Sequence, residues 1–254
     1  MRIGRIVHHG TPHMVVDKGD GWRLLDGDPF GPWTPGGAVE PAAADWLAPV
    51  APTKIVAIGR NYRDHAAERG ASVPAEPMVF LKPPSAVIGP GVAIVLPEGV
   101  GRVDYESELA VVIGRTAKHV PRDAAMAHVF GYTCLNDVTA RDLQNRGVQF
   151  SHAKGYDTFS PIGPWIETSL DAFNATVEGF VNGQRRQHGN TRDLAFPVDV
   201  LIAYISAIMT LHPGDVIATG TPAGIGPLAA GDTVTVRIDG IGELVNPVTA
   251  APGR

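Results

Sequence analysis

The segment VDYESELAVVIG, Val103 to Gly114, sets Asp104, Glu106 and Glu108 at alternate positions just ahead of the apolar run Ala110 to Ile113. In a strand, residues two apart point to the same side at a spacing of roughly 6.7 Å. Two carboxylates so placed repel by about 2.5 kcal/mol at an effective dielectric of about 20. A solvated edge tolerates this, but a strand leading into Val111, Val112 and Ile113 does not read as such an edge, so the pattern asks for a positive partner. Another acid, Asp137, stands where the strand-like FGYTCLN runs out, in LNDVTARDLQ, and strand ends and the loops after them commonly display functional groups. Two strand acids and one from the end of another strand make an all-oxygen site. Such a site suits a hard divalent ion, Mg²⁺ first, with Mn²⁺ or Ca²⁺ behind it. The ordinary reading of any single acid is a solvated charge, and the apolar context weighs against it here.

Other segments carry groups that act on protons and on developing charge. In GRNYRDHAAE, His65 and Glu68 are three apart and share a face if the segment is helical; a carboxylate beside an imidazole orients it and raises its basicity. The plainer reading is an exposed, helix-stabilising pair. Lys154, in SHAKGYDTFSPIGPW, sits in a stretch too rich in Gly and Pro for a regular helix and poor in other charges. It is either a cation poised beside an oxyanion or a surface lysine. The loop ATGTPAGIGPL lacks both phosphate-binding glycine patterns and reads as a tight loop near a pocket, with Thr221 offering a hydroxyl. His8, His9 and His13 have no acid or Cys to complete a ligand set and read as solvent-facing. No serine lies in a nucleophile elbow, and Cys134, flanked by YT and LN in a strand, reads as core packing.

The elements that must position these groups are mostly short strands. Residues 1 to about 27 contain three β-like runs, RIGRIV, HMVV and GWRLL, and form a small antiparallel unit. The Pro- and Gly-rich stretch Gly27 to Ala43 reads as a linker, which sets a boundary near residue 50: a small N-terminal β unit over 1–50 and a catalytic unit over 51–254. Beyond it KIVAIG, MVFLK, AIVLP, ESELAVVIG, FGYTCLND, ATVEGFVNG, DVIATG and TVTVRIDG are strand-like. Helices are expected in NYRDHAAERG, in PRDAAMAHV and in FPVDVLIAYISAIM, where Val200, Tyr204 and Ile208 are four apart. Asn182-Gly183 and Asp239-Gly240 signal hairpin turns.

The whole chain bounds the partners. It has 254 residues, 44% apolar and 19% charged, with a formal net charge of -5, which is globular composition. No Lys/Arg cluster interleaves with aromatics, which argues against nucleic acid and for a small substrate. One cysteine permits no intramolecular disulfide and no Cys-based zinc site. MRIGRIVHHG is not a signal peptide and no apolar run is long enough to span a bilayer, so a cytoplasmic protein without membrane contact is expected.

In order along the chain, GRNYRDHAAE, FLKPPSAVIGPG, DYESELAVVIG, LNDVTARDLQ, AKGYDTFSPIGPW and TGTPAGIG resemble the motifs of the fumarylacetoacetate hydrolase family, over about residues 54 to 247. The resemblance implies a mixed, mainly β fold, a β-roll of mixed sheets with a few short helices, usually dimeric. It implies that Glu106, Glu108 and Asp137 bind the divalent ion, with Asp104 behind them. It makes His65 and Glu68 a catalytic dyad on a short lid helix, sets Lys154 against the reacting oxygens of the substrate, and makes Arg141, Gln144 and Thr221 substrate contacts. The implied activity is metal-dependent carbon–carbon hydrolysis of a 2,4-dioxo acid, an acylpyruvate or fumarylpyruvate, through an enolate. The alternatives are tautomerisation or decarboxylation of a related 2-oxo or dienol diacid in aromatic catabolism, or a non-catalytic protein holding a structural ion. The chain departs from many smaller members at Phe150 and His152, on the pocket wall, and its first fifty residues match no motif.

Overall fold

The computed structural model of the chain describes residues 1–42, 45–147 and 149–252. Among them, an eleven-stranded mixed sheet has the strand Ser107–Ile113 near its middle, and every residue of that strand is buried. Val129–Asn136 pairs antiparallel on one side and Val216–Ala218 on the other; Val216–Ala218 pairs parallel to Ile55–Gly59, and Met78–Lys82 closes that edge. The two faces of the central strand serve two cores. Leu109, Val111 and Ile113 meet Val177, Val236, Ile238 and Leu244, from a five-stranded sheet stacked on this side, and Leu201, Ile202 and Ile205 of the helix Val198–Ile208. Ala110 and Val112 face Ile55, Ala57, Ile162 and Ile166 on the other side. Full burial of each such aliphatic side chain is worth about 1.5–3 kcal/mol. A third sheet, three-stranded, sets Val103–Tyr105 between Thr139–Ala140 and Gly226–Pro227. The architecture is the mixed, mainly β one expected from the motifs. Among the described residues no helix is long and apolar enough to cross a membrane.

The N-terminal strands Arg2–His8, Thr11–Asp17 and Trp22–Gly27 form the expected antiparallel unit, and they join the large sheet through Arg2 and Ile3 opposite Glu167 and Ile166. The stretch read as a linker holds a further strand, Trp33–Ala38, paired with Trp22–Gly27; its last residue, Ala43, lies outside the described residues. Asn182 and Gly183, both at positive φ (51° and 75°), turn Thr176–Val181 back into Gln184–Asn190, as the Asn-Gly signal requires.

Helical segments differ in detail from their sequence patterns. Val198–Ile208 is a helix, but its buried face is Val198, Leu201, Ile202 and Ile205, while Ile208 is 55% exposed. Arg122–His128 winds as a 3₁₀ helix rather than an α-helix. Phe150–Lys154 is a single helical turn, where the Gly and Pro that follow had argued against one.

Candidate active site

The acidic run is not one strand. Val103–Tyr105 belongs to the three-stranded sheet and Ser107–Ile113 to the large one, so Glu106 sits at the break between them. Its backbone is pinned there: the Glu106 N–H donates to Asn136 Oδ1 (2.9 Å), and its carbonyl accepts from the N–H of Asp137 (2.8 Å). That second bond brings the residue just past the end of Val129–Asn136 beside the break. Glu106, Glu108 and Asp137 are all buried, and each offers an oxygen within 4.8 Å of the other two.

The positive partners asked for by the sequence are present. The Lys154 ammonium donates to Glu106 Oε2 (2.7 Å) and to Asp137 Oδ2 (2.5 Å). Arg141 donates through Nη2 to Glu106 Oε1 (2.5 Å), through Nε to Asp104 Oδ2 (2.7 Å) and through Nη1 to Gln144 Oε1 (2.5 Å). Arg102 grips the other oxygen of Asp104 (2.6 Å). Lys82, fully buried, donates to Asp137 Oδ1 (2.5 Å) and to the Phe159 carbonyl (2.8 Å). Arg141 thus links Asp104 to Glu106.

Glu108 stands apart in this network. Among the described residues it receives one hydrogen bond, from the Gly220 N–H to Oε2 (2.8 Å), and no cation reaches it. Burial first, then the neighbouring Asp137 and Glu106, push its carboxyl well above the usual range. Burial would raise Glu106 too, but Lys154 and Arg141 hold it below that range. Burial likewise opposes the charge on Lys154, but Asp137 and Glu106 outweigh it and raise the ammonium's pKa. For Lys82, burial outweighs Asp137 and lowers it. The donor set fits a divalent cation: three converging carboxylates, only oxygen donors, and one of them buried with no cation bonded to it among the described residues.

The facing wall is the short helix Arg63–Glu68. His65 Nδ1 lies 3.2 Å from Glu68 Oε2, and the other oxygen of Glu68 accepts the Gly224 N–H (3.0 Å), which ties the helix to the Gly-rich loop. Gly220 in that loop has φ +102°, and a Cβ there would come 2.8 Å from Asn61 Cβ, so glycine alone lets the N–H aimed at Glu108 reach it. Thr221 lines the pocket, but its hydroxyl proton is taken by the Ser107 carbonyl (2.9 Å) while it accepts from Gln187 (2.7 Å). Between the two walls lies a cavity of about 350 Å³, bordered also by Arg60, Arg69, Arg141, Gln144, Asn145 and Phe150.

The structure therefore brings His65, Glu106, Glu108, Arg141, Gln144, Lys154 and Thr221 to one cavity, with Glu68 and Asp137 in direct contact with members of that set. Sequence reasoning missed Lys82, whose signal was a lysine closing the apolar strand Met78–Lys82, and the pocket-lining Arg60 and Arg69. His8, His9 and His13 stay on the N-terminal hairpin, their rings 4.1 and 5.8 Å apart, and do not border this cavity.

Residues 54–249 match the family model of the fumarylacetoacetate (FAA) hydrolase C-terminal domain, and residues 1–49 match that of the Rv2993c-like N-terminal domain. The chain is 46% identical over 259 residues to protein Rv2993c of Mycobacterium tuberculosis H37Rv, covering 98% of each. Among solved structures it is similar to a 5-carboxymethyl-2-hydroxymuconate delta-isomerase from Mycobacterium smegmatis (44% identity, TM-score 0.92, 99% of this chain and 100% of the other). It is also similar to a maleylpyruvate hydrolase from Sphingobium sp. SYK-6 in complex with manganese(II) and pyruvate (34% identity, TM-score 0.80, 99% and 100%). With the acidic trio, the dyad and both lysines set on this mixed β scaffold, the chain belongs to the fumarylacetoacetate hydrolase family.

Proposed function

We propose that this protein hydrolyses a carbon–carbon bond in a 2,4-dioxo acid of the acylpyruvate type, with a divalent metal, Mg²⁺ or Mn²⁺, as cofactor. The observation that carries this reading is the pairing of an all-carboxylate cation site with a His–Glu dyad across one cavity. Glu106, Glu108 and Asp137 would hold the ion, which when bound supplies Lewis-acid polarisation at the 2-oxo carbonyl. Glu68 engages His65 Nδ1, which leaves Nε2 to take a proton from water as its oxygen attacks the 4-oxo carbon. The bond between that carbon and C3 then breaks, its electron pair passing to the enolate of pyruvate while the acyl half leaves as a carboxylic acid. Lys154 spends two N–H groups on Glu106 and Asp137. Its third remains to steady the enolate oxygen, and Lys154 is buried, where such a bond is worth more than in bulk water. The proton held by His65 returns to C3 and yields pyruvate. The manganese and pyruvate in the maleylpyruvate hydrolase complex support the same chemistry.

The similarity to a delta-isomerase favours a second reading, in which the same base moves a proton along a dienol without admitting water. The two separate in one assay. Acylpyruvates, fumarylpyruvate and hydroxymuconate-type diacids are offered with Mg²⁺ or Mn²⁺, and pyruvate release is followed alongside the dienol absorbance. Pyruvate formed in step with substrate loss supports hydrolysis, and an absorbance change without pyruvate supports the isomerase. Pyruvate release that persists after exhaustive chelation overturns the metal-dependent reading.

A further inference from the structure

Arg5 carries a charge in apolar surroundings. Side chains two apart on a strand share a face, so on the strand Arg2–His8 it leaves the sheet on the side of Ile3 and Val7, and its cross-strand partner is Met14. Ile3 stands opposite Ile166, which packs in one core with Val50 and Val87. Arg2, on the other face of the same strand, has Glu167 (3.8 Å) and the ring of Trp165 for company. Arg5 is partly buried, and among the described residues its guanidinium enters no ion pair, donates no hydrogen bond and stacks on no ring. A guanidinium so placed gives up hydration without a counter-charge in return.

Arg5 also borders a cleft of about 290 Å³ between the N-terminal unit and the catalytic region. One wall is Leu47, Val50 and Pro52; the other is Pro84, Val87 and Ile88, from the segment after Met78–Lys82. Of the side chains around the cleft, that of Arg5 alone is polar. The parts are fixed against one another: the Leu47 N–H donates to the Arg5 carbonyl (2.9 Å), and a Cβ on Gly89 would come 2.5 Å from the Ala48 nitrogen, so glycine is needed for the two walls to meet. None of these residues borders the catalytic cavity. A preformed apolar concavity with one charged group is a common form of small-molecule site.

We propose that this cleft binds a small amphipathic monocarboxylate, its head on Arg5 and its hydrocarbon body on Val50, Val87 and Ile88. The head is a carboxylate because the guanidinium matches it with two parallel N–H donors. It is a single one because a second charge would be stranded on apolar walls. The volume suits a body of about six carbons. The occupant touches the N-terminal strand, the segment that follows it and Pro84–Ile88 at once, so it stabilises the folded chain by linkage.

The probes are hexanoate, 1-hexanol and adipate, which share one carbon chain and differ only in their ends. Binding to the full-length protein is measured by protein-detected NMR titration, without and with saturating Mg²⁺ and oxalate to fill the catalytic cavity. Hexanoate is expected to bind wild type at least about fivefold more tightly than either other probe, and to raise the melting temperature. Arg5→Met should bring hexanoate to within about twofold of 1-hexanol, with 1-hexanol itself still bound, and abolish the rise in melting temperature. Arg5→Lys should keep part of the preference, because the charge remains and the paired donors do not. Equal binding of hexanoate and 1-hexanol by wild type, or a preference that Arg5→Met retains, overturns the proposal. So does a failure of hexanoate to bind. Loss of hexanoate binding on adding Mg²⁺ and oxalate would put the probe in the catalytic cavity and overturn it too. Sedimentation velocity covers the other occupant: if wild type self-associates and Arg5→Met does not, the cleft is held by a second copy and the proposal fails.

Discussion

Removing one carboxylate of the trio should act differently at each position, because the cations are shared unequally. Glu106 and Asp137 are each held by two cationic side chains, whereas Glu108 has none. Glu106→Gln and Asp137→Asn are expected to weaken Mn²⁺ binding by about tenfold or more, read by calorimetry, and to lower stability, because buried cations lose their partners. Glu108→Gln should weaken Mn²⁺ binding as well and yet raise the melting temperature in chelator by about 2–4 °C, since burial, Asp137 and Glu106 disfavour the ionised carboxyl that the unfolded chain carries at neutral pH, and an amide removes that cost of about 1 kcal/mol. A lower melting temperature for Glu108→Gln in chelator would refute that account. His65→Ala should cut hydrolysis about 10² to 10⁴-fold, the usual contribution of a general base, while Mn²⁺ affinity stays within a factor of about two to three. Hydrolysis that survives this change would make the dyad structural. The acids stood out in the sequence because charge next to an apolar run is unusual enough to need a reason, whereas His65, Glu68 and Lys154 read as ordinary surface groups until the family motifs marked them. Lys82 was not legible, since one lysine at the end of a strand looks like any other until Asp137 is seen to meet it from a distant part of the chain.

The helix Arg63–Glu68 is well anchored despite its polar sequence. Tyr62 and Ala66 are buried, and Glu68 and Asp64 accept backbone N–H groups of the Gly-rich loop. Hydrogen exchange should accordingly be slow at Ala66 without ligand and fast over residues 70–77, and adding oxalate with Mg²⁺ should slow exchange mainly in the second stretch. Uniform protection from the start would exclude a closing segment. Element identity was legible wherever a short apolar run or turn chemistry was strong, as at Ser107–Ile113 and Asn182-Gly183. It failed at Ser160–Glu167, an interior strand whose Pro161, Gly163 and Pro164 contradict every local strand signal. It failed at Trp33–Ala38 for the same reason. At Ser160–Glu167, pairing to neighbours distant in sequence overrides local preference, which a sequence read in windows does not carry, whereas Trp33–Ala38 is an edge strand held by its hairpin with the adjacent Trp22–Gly27, where Pro and Gly are tolerated. The helix Val198–Ile208 shows the same limit in milder form: its period was visible, but the side it turns inward is chosen by the sheet beneath it.

At the scale of the molecule, Asp215 fastens the start of the catalytic region. Buried, it accepts from Thr53 Oγ1 (2.6 Å), the Lys54 N–H (3.2 Å), the His212 N–H (2.8 Å) and the Lys54 ammonium. Burial would raise its pKa, but these bonds, that with Lys54 foremost, lower it. A depressed folded pKa stabilises above the unfolded value, about 3.9, and the contribution disappears as pH falls through the folded value. Urea unfolding of wild type should therefore show an acid-side loss that Asp215→Asn lacks, and at pH 7 the variant should be less stable by about 1–3 kcal/mol. Equal stability of the two at pH 7 would count against it. The joint between the N-terminal unit and the rest has a consequence of another kind. Arg2 and Ile3 pair with Glu167 and Ile166, the amino terminus reaches Glu167 (3.0 Å), and Trp22 and Trp46 close over Trp165. Those contacts cover one flank of Ser160–Glu167 at its Ile166–Glu167 end, and the other flank is taken by Val129–Asn136. A chain started at residue 50 would present that flank bare, with unmet N–H and C=O groups and an exposed tryptophan, an open invitation to a second molecule. Removal of the first fifty residues should therefore be felt first as concentration-dependent clumping on sizing columns, while a pocket built wholly from later residues keeps its chemistry.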